Sequence, residues 1–165
     1  MYVALVAAKT ESKPRSGCPV CVSLEQFGDR WSLLIVRDMM VRGYRTFREF
    51  QNAGEGISTN ILAGRLRKLE AAQIVSAEPS QEDGRKIHYR LTAKGIALAP
   101  VMLELLLWAA RHEQTAASCG FVDQMEKNRA AVLAETYRRW AEHDPTPLIP
   151  PFQKPNQSPR RKKAG

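Results

Sequence analysis

Apolar residues fall at three- and four-residue steps between Cys18 and Met40. Val20, Leu24, Phe27, Trp31, Leu34, Ile35 and Val36 mark one or two amphipathic helices, with a break near Gly28 and Asp29. The sequence "TFRE" then reads as a capping box, in which Thr46 accepts from the amide of Glu49 and the Glu49 carboxylate reaches back to the amide of Thr46. It opens a short helix with Phe47 and Phe50 inward, stopped at "AGEG", where Gly54 and Gly56 permit a tight turn. Ser58 is expected to cap the helix that follows. Two runs rich in β-formers, residues 74–78 and 87–92, flank a loop containing Pro and Gly and predict a β-hairpin. Thr92 caps a further helix through about Glu113, kinked or restarted at Pro100. The sequence "SCG" breaks the chain, and helical periodicity resumes from Phe121 to about His143.

Four helices, a hairpin and two helices, with a glycine-containing turn between two short helices just ahead of the hairpin, define a fold class that is mainly α with a small β-hairpin wing: a winged helix-turn-helix with additional N- and C-terminal helices. The expected organisation is a flexible arm over residues 1–17, the winged domain over 18–113, a helical extension over 114–144 serving dimerisation, and a disordered tail over 145–165.

The segment "GISTNILAGRLRKLEAA" repays a closer look. At 100° per residue, Ile57, Ile61, Leu62, Leu66 and Leu69 cover one arc of about 180°, the side expected to pack on the domain. Asn60, Ala63, Gly64 and Arg67 lie opposite. A merely solvated face would fill with Glu and Lys, whereas Gly64 gives up as much as ~1 kcal/mol of helix stability relative to Ala. Either this is an ordinary amphipathic helix with an incidental Gly, or its small residues let it approach another surface, and a DNA major groove admits one α-helix. There Asn reads adenine and Arg reads guanine, each bidentately. Ser58 and Thr59 sit at the helix N-terminus, where free amides attract phosphate, and Lys68 adds charge on the same helix. In the hairpin loop, Arg85 and Lys86 either reach the minor groove or backbone, as basic arms do, or form a soluble turn neutralised by Glu82 and Asp83.

Charge sharpens this picture. The chain of 165 residues carries a formal +8 and a pI near 9.7, which favours a polyanionic partner. Arg30 to Lys94 holds 12 basic and 7 acidic residues, while Gly95 to Asp144 holds 5 basic and 7 acidic. The tail from Pro145 adds five basic residues and no acid, either for non-specific DNA attraction or for solubility. The opening "MYVALVAAKTESKPR" is too short for a membrane span and in the wrong order for a secretory signal, and "VMLELLLWAA" is only ten residues with a Glu inside. A cytoplasmic protein that does not engage membranes is expected, and three cysteines, an odd number, fit a reducing compartment. Paired carboxylates, a Gly-rich phosphate loop after a strand and a nucleophile with its base are all missing, so neither an enzyme nor a cofactor is expected. The alternative to a DNA-binding regulator is a helical protein-interaction module using the apolar C-terminal helices.

These residues resemble the HxlR-type winged-helix transcriptional regulators of bacteria. The likeness runs from "CPV" at Cys18 through "DRWSLLIVRDMM", "TFREF", "GISTNILAGRLRKLE" and "HYRLTAKG" to "LWAA" near Trp108. It implies a homodimer on an inverted-repeat operator of double-stranded DNA, acting as repressor or activator, with terminal helices at the dimer interface. It places Trp31, Leu34, Ile35 and Arg37 in a structural helix and residues 58–67 in the recognition helix. Gln73 departs from the pattern, since relatives commonly carry Gly there; so do the second cysteine of "CPVC" and the extension beyond Glu113. The cysteine of the family's opening motif matches Cys18, and some relatives use it to sense oxidants or electrophiles. Cys18 is therefore a candidate thiol sensor and Cys21 a candidate resolving partner, with simple packing of both thiols as the other reading. A zinc site would need two more ligands, which Cys119, His88, His112 and His143 do not supply in any pattern, and a thioredoxin-type motif would need a preceding strand. A small-molecule or oxidant effector fits such a regulator.

Overall fold

In the computed structural model, residues 17–80 and 83–149 are described. The arm before Gly17, the loop residues Gln81 and Glu82 and the basic end of the tail lie outside them.

The first helix, α1 (Pro19–Phe27), stops at Gly28, and α2 (Arg30–Val41) restarts because the Asp29 carboxylate accepts from the amides of Trp31 and Ser32 at 3.1 and 3.0 Å. The capping box forms as read, and it starts α3 (Phe47–Gln51). Gly54 and Gly56, both at positive φ, turn the chain into α4 (Thr59–Ala71). There the hairpin follows, β1 (Val75–Pro79) antiparallel to β2 (Ile87–Leu91), in a register running from Val75 opposite Leu91 to Pro79 opposite Ile87. A bridge between Thr46 and His88 ties the entry of α3 to the wing. Pro100 proves to be a restart rather than a kink: α5 (Ala93–Ile96) ends before it, and Pro100 sits in the first turn of α6 (Ala99–His112), where its missing N–H costs nothing.

Three expectations need correction beyond this point. Residues 118–120 do not break the chain; Ser118 accepts from the amide of Phe121 and starts α7 (Cys119–Lys127). The single helix expected from Phe121 to His143 is divided at Asn128, with α8 spanning Arg129–Ala141. Residues 145–149, expected to belong to the disordered tail, pack on the domain. Leu148 donates its amide to the Val41 carbonyl at 2.7 Å, Ile149 is buried, and the Pro145 carbonyl lies so close to Gly43 that a Cβ there would sit 2.1 Å from it. Gly43 also has φ +71°, so that position excludes any side chain on two grounds.

Ile35, Val36, Phe50, Leu62, Leu66, Leu69, Ile74, Val75 and Leu91 form the main core, where α2, α3 and α4 meet the base of the hairpin. At ~1.5–3 kcal/mol for each fully buried aliphatic side chain, this cluster is what fixes the angle of α4. A second cluster joins Leu103 and Leu107 of α6 to Val122 of α7, with Val132 and Leu133 of α8 beside them. The run Ala93–His112 is long and apolar enough by composition to cross a membrane, more than the ten residues first counted, but here it is two helices whose Ala99, Leu103 and Leu107 are buried against the protein. Val20 and Leu24 of α1, read as part of the apolar face, instead point outward at 65% and 58% exposure, because nothing among the described residues covers that side of α1.

Candidate nucleic-acid interface

The site is built on α4, held from beneath by Leu62, Leu66 and Leu69, all essentially inaccessible. The end of the helix is fixed as firmly as its face. Gln73 donates to the Glu70 carbonyl and Ile74 to the Leu69 carbonyl, both at 2.9 Å, a Schellman closure with the Leu69 and Ile74 side chains packed in one core. Gln73 stands at φ +58°, so the turn that relatives make with Gly keeps its left-handed geometry with a side chain in place.

Ser58, Thr59, Asn60 and Arg67 are exposed, and Ala63 and Gly64 are half-buried between them. Asn60, Gly64 and Arg67, at four- and three-residue steps, form one stripe, and a Cβ added at Gly64 would meet nothing within 4 Å. Among the described residues neither Asn60 nor Arg67 has a hydrogen bond or ion pair, so the stripe is chemically unspent. Ser58 occupies the N-cap position, but its hydroxyl makes no capping bond. That corrects the expected cap and leaves the hydroxyl beside the free amides of the first turn. Ile61 is also a correction: placed on the packing arc by the helical wheel, it is 41% exposed and stands outside the core that holds Leu62 and Leu66.

Lys68 is turned toward α2. Its ammonium lies 3.8 Å from Asp29 and the Arg65 guanidinium 3.2 Å from the same carboxylate. Asp29 is partly buried, which raises a carboxyl pKa, but hydrogen bonds from Ser32 and the charges of Arg65 and Lys68 outweigh burial and hold it below the ordinary value. One acid thus caps α2 and positions two basic side chains of α4. Arg65 had escaped the sequence reading, although its spacing of three from Lys68 was the available signal. Exposed Arg48 on α3 and Arg30, stacked 5.0 Å over the Trp31 ring, add two further cations.

At the wing tip, Arg85 is 97% and Lys86 68% exposed. Each lies 3.7 Å from Asp83, whose carboxylate also accepts from the Arg85 amide at 3.2 Å. These are solvent-screened contacts that hold the loop without spending the charges. The thiols sit apart from this surface. Cys18 is the N-cap residue of α1, Cys21 follows one turn on, and all three cysteines are exposed and reduced. The nearby amides of Cys21 and Val20, and then the Cys21 thiol, hold the Cys18 thiol below its usual range.

A helix-turn-helix carrying a two-stranded wing, with its second helix presenting an unspent polar stripe, defines a winged-helix regulator. Residues 26–117 match the model of the HxlR-like helix-turn-helix family, and the chain belongs to that family. It is 36% identical over 97 residues to the HTH-type transcriptional regulator YodB of Bacillus subtilis (strain 168), covering 56% of this chain and 86% of that one. It is 33% identical over 94 residues to the uncharacterized HTH-type transcriptional regulator YybR of the same organism, covering 57% and 74%. Among solved structures, the redox regulator HypR in its oxidised form superposes with a TM-score of 0.53 at 29% identity, over 59% of this chain and all of that one. PA1607 superposes with a TM-score of 0.58 at 38% identity, over 63% and 71%. The protein is a transcriptional regulator of helix-turn-helix type.

Proposed function

We propose that the protein binds double-stranded DNA as a homodimer, with residues 58–71 in the major groove and the loop at 79–87 on the minor groove or backbone. The observation that carries this reading is the outward stripe of Asn60, Gly64 and Arg67, with no partner among the described residues and room for close approach. Ser58 and Thr59 would take a phosphate, Ala63 and Ile61 would meet base methyl groups, and Arg65, Lys68, Arg85 and Lys86 would neutralise the backbone. Val101, Leu105 and Trp108 on α6 and Val20 and Leu24 on α1, all exposed, support pairing of two copies through the terminal helices. A two-fold dimer would read an inverted repeat, and such work on the genome belongs in the cytoplasm.

Fluorescence anisotropy on the DNA upstream of the protein's own gene tests this. Affinity should fall steeply with salt, and Arg67→Ala should cost roughly 1–3 kcal/mol on the preferred site while leaving non-specific binding nearly unchanged. Salt-independent binding, or an Arg67→Ala protein indistinguishable from the parent, would favour the protein-interaction module instead.

The depressed Cys18 thiol and the likeness to HypR support a second property, oxidant sensing. The Cys18 thiolate would attack a peroxide, giving a sulfenic acid and releasing water or an alcohol; the Cys21 thiol would then displace water to form the disulfide. Peroxide should release DNA from the parent protein, with a mass loss of two hydrogens. Equal release from Cys18→Ser would dismiss the sensor.

A further inference from the structure

The C-terminal extension closes a cavity of about 590 Å³ against the winged domain. Its floor is the outer side of the hairpin, where Ser76 and Arg90 are register partners, together with Tyr44, Arg45 and Tyr89. Its roof is the end of α8, with Trp140 and His143. One bond ties the roof to the hairpin and two more brace the roof internally. Trp140 donates its indole N–H to the Leu91 carbonyl at 2.7 Å, and Arg139 donates to the Thr146 carbonyl and hydroxyl at 2.7 and 2.8 Å. The family match ends at residue 117, so the roof lies outside the matched unit.

Two guanidinium groups converge here. Arg45 donates to the His143 carbonyl, and Arg90 faces Nδ1 of the same residue. Burial first, and then the charge of Arg90, hold Arg45 below the usual guanidinium range. Among the described residues neither arginine is ion-paired with a carboxylate. The acids that also line the cavity are engaged elsewhere or open to solvent: Asp144 accepts from the Thr146 amide and hydroxyl and lies 3.6 Å from Arg138, and Glu78 is exposed. The Glu49 and Asp144 carboxylates attract Arg45 without reaching salt-bridge distance and do not cancel the effects of burial and of Arg90, so the two half-buried like charges remain unfavourable together, while Tyr44, Tyr89 and Trp140 supply flat apolar walls beside them. A carboxylate accepting from both guanidiniums would relieve the repulsion with charge-assisted hydrogen bonds.

We propose that this cavity is a binding site for a small aromatic carboxylate, its anionic group between Arg45 and Arg90 and its ring against Tyr44, Tyr89 and Trp140. The ligand would touch both the wing and the extension, and it is independent of how α4 meets DNA.

Calorimetric titration of the full chain, without DNA, with 1-naphthoate and with its neutral amide is the test. We expect naphthoate to bind with a dissociation constant below a millimolar and the amide at least tenfold more weakly. Arg45→Gln and Arg90→Gln should each weaken naphthoate at least tenfold, with unchanged melting in the absence of ligand, and Arg90→Lys should stay close to the parent. No naphthoate binding, equal binding of the amide, or full binding by the Arg45→Gln, Arg90→Gln double variant would overturn the proposal. The acid-against-amide comparison on the parent protein decides it even if a variant melts early. Since no DNA is present, failure here would leave the DNA reading standing, and the reverse.

Discussion

Gln73 holds a left-handed conformation that costs an L-residue roughly 1–2 kcal/mol, because its Cβ crowds the following carbonyl. The Schellman bonds from Gln73 and Ile74 and the packing of Ile74 beside Leu69 over-determine that turn, so the backbone stays and the strain is absorbed. Gln73→Gly should relieve it, less the larger entropy that glycine loses on folding. The expected gain is about 0.5–1 kcal/mol, read as a rise of roughly 1–4 °C in melting temperature by differential scanning calorimetry. A fall in melting temperature would mean that the Gln73 side chain contributes more than its backbone costs. The departure from Gly at this position was visible in the sequence; that the turn survives it was not, because the bonds closing it come from backbone groups that carry no sequence signature.

Among elements, α3 shows how far local chemistry can be read. Thr46 and Glu49 formed the expected box because both partners lie within one turn, and the pair needs nothing from the rest of the fold. Burial alone would raise the Glu49 pKa, yet hydrogen bonds from the Arg45 and Thr46 amides and the Thr46 hydroxyl outweigh it and leave the carboxyl below its ordinary 4.5. With the folded pKa below the unfolded one, the stabilisation is complete above about pH 4.5 and is lost as pH falls through the folded value. Glu49→Gln should therefore lower stability by about 1 kcal/mol at pH 7 and flatten the acid limb below pH 4.5 in urea titrations. An unchanged acid limb would show that the box contributes nothing on folding. Where packing decides, the same reading fails. Ile61 fits the apolar arc by angle but stands outside the core that holds Leu62, and after the division at Asn128 α8 packs Val132 and Leu133 on the α6–α7 cluster while its Trp140 reaches the Leu91 carbonyl. Helical periodicity gives the side a residue faces, not which neighbour ends where.

On the scale of the whole molecule, the outward apolar residues are the part that a single chain leaves unfinished. Val101, Leu105 and Trp108 recur at four and three residues along α6, and their exposures of 42%, 44% and 57% exceed what the internal cluster beneath them shows. Leu105→Glu combined with Trp108→Glu should convert a dimer to a monomer in analytical ultracentrifugation while the melting temperature stays within a few degrees. A monomeric parent would sink the pairing. The pattern of apolar steps announced these helices without saying which side packs on its own core and which stays exposed, since both are equally apolar. The charge distribution, by contrast, was readable at once. The basic excess lies in residues 30–94, and the structure places two of its members that have no ion pair among the described residues, Arg48 and Arg67, on the outside of α3 and α4. One more consequence follows from the openness around Gly64. Among the described residues the side chains of Asn60 and Arg67 brace nothing, and a Cβ at Gly64 would meet nothing within 4 Å, so exchanging them should leave folding almost untouched. Descendants of this chain could then acquire new target sequences a residue at a time without passing through an unstable ancestor.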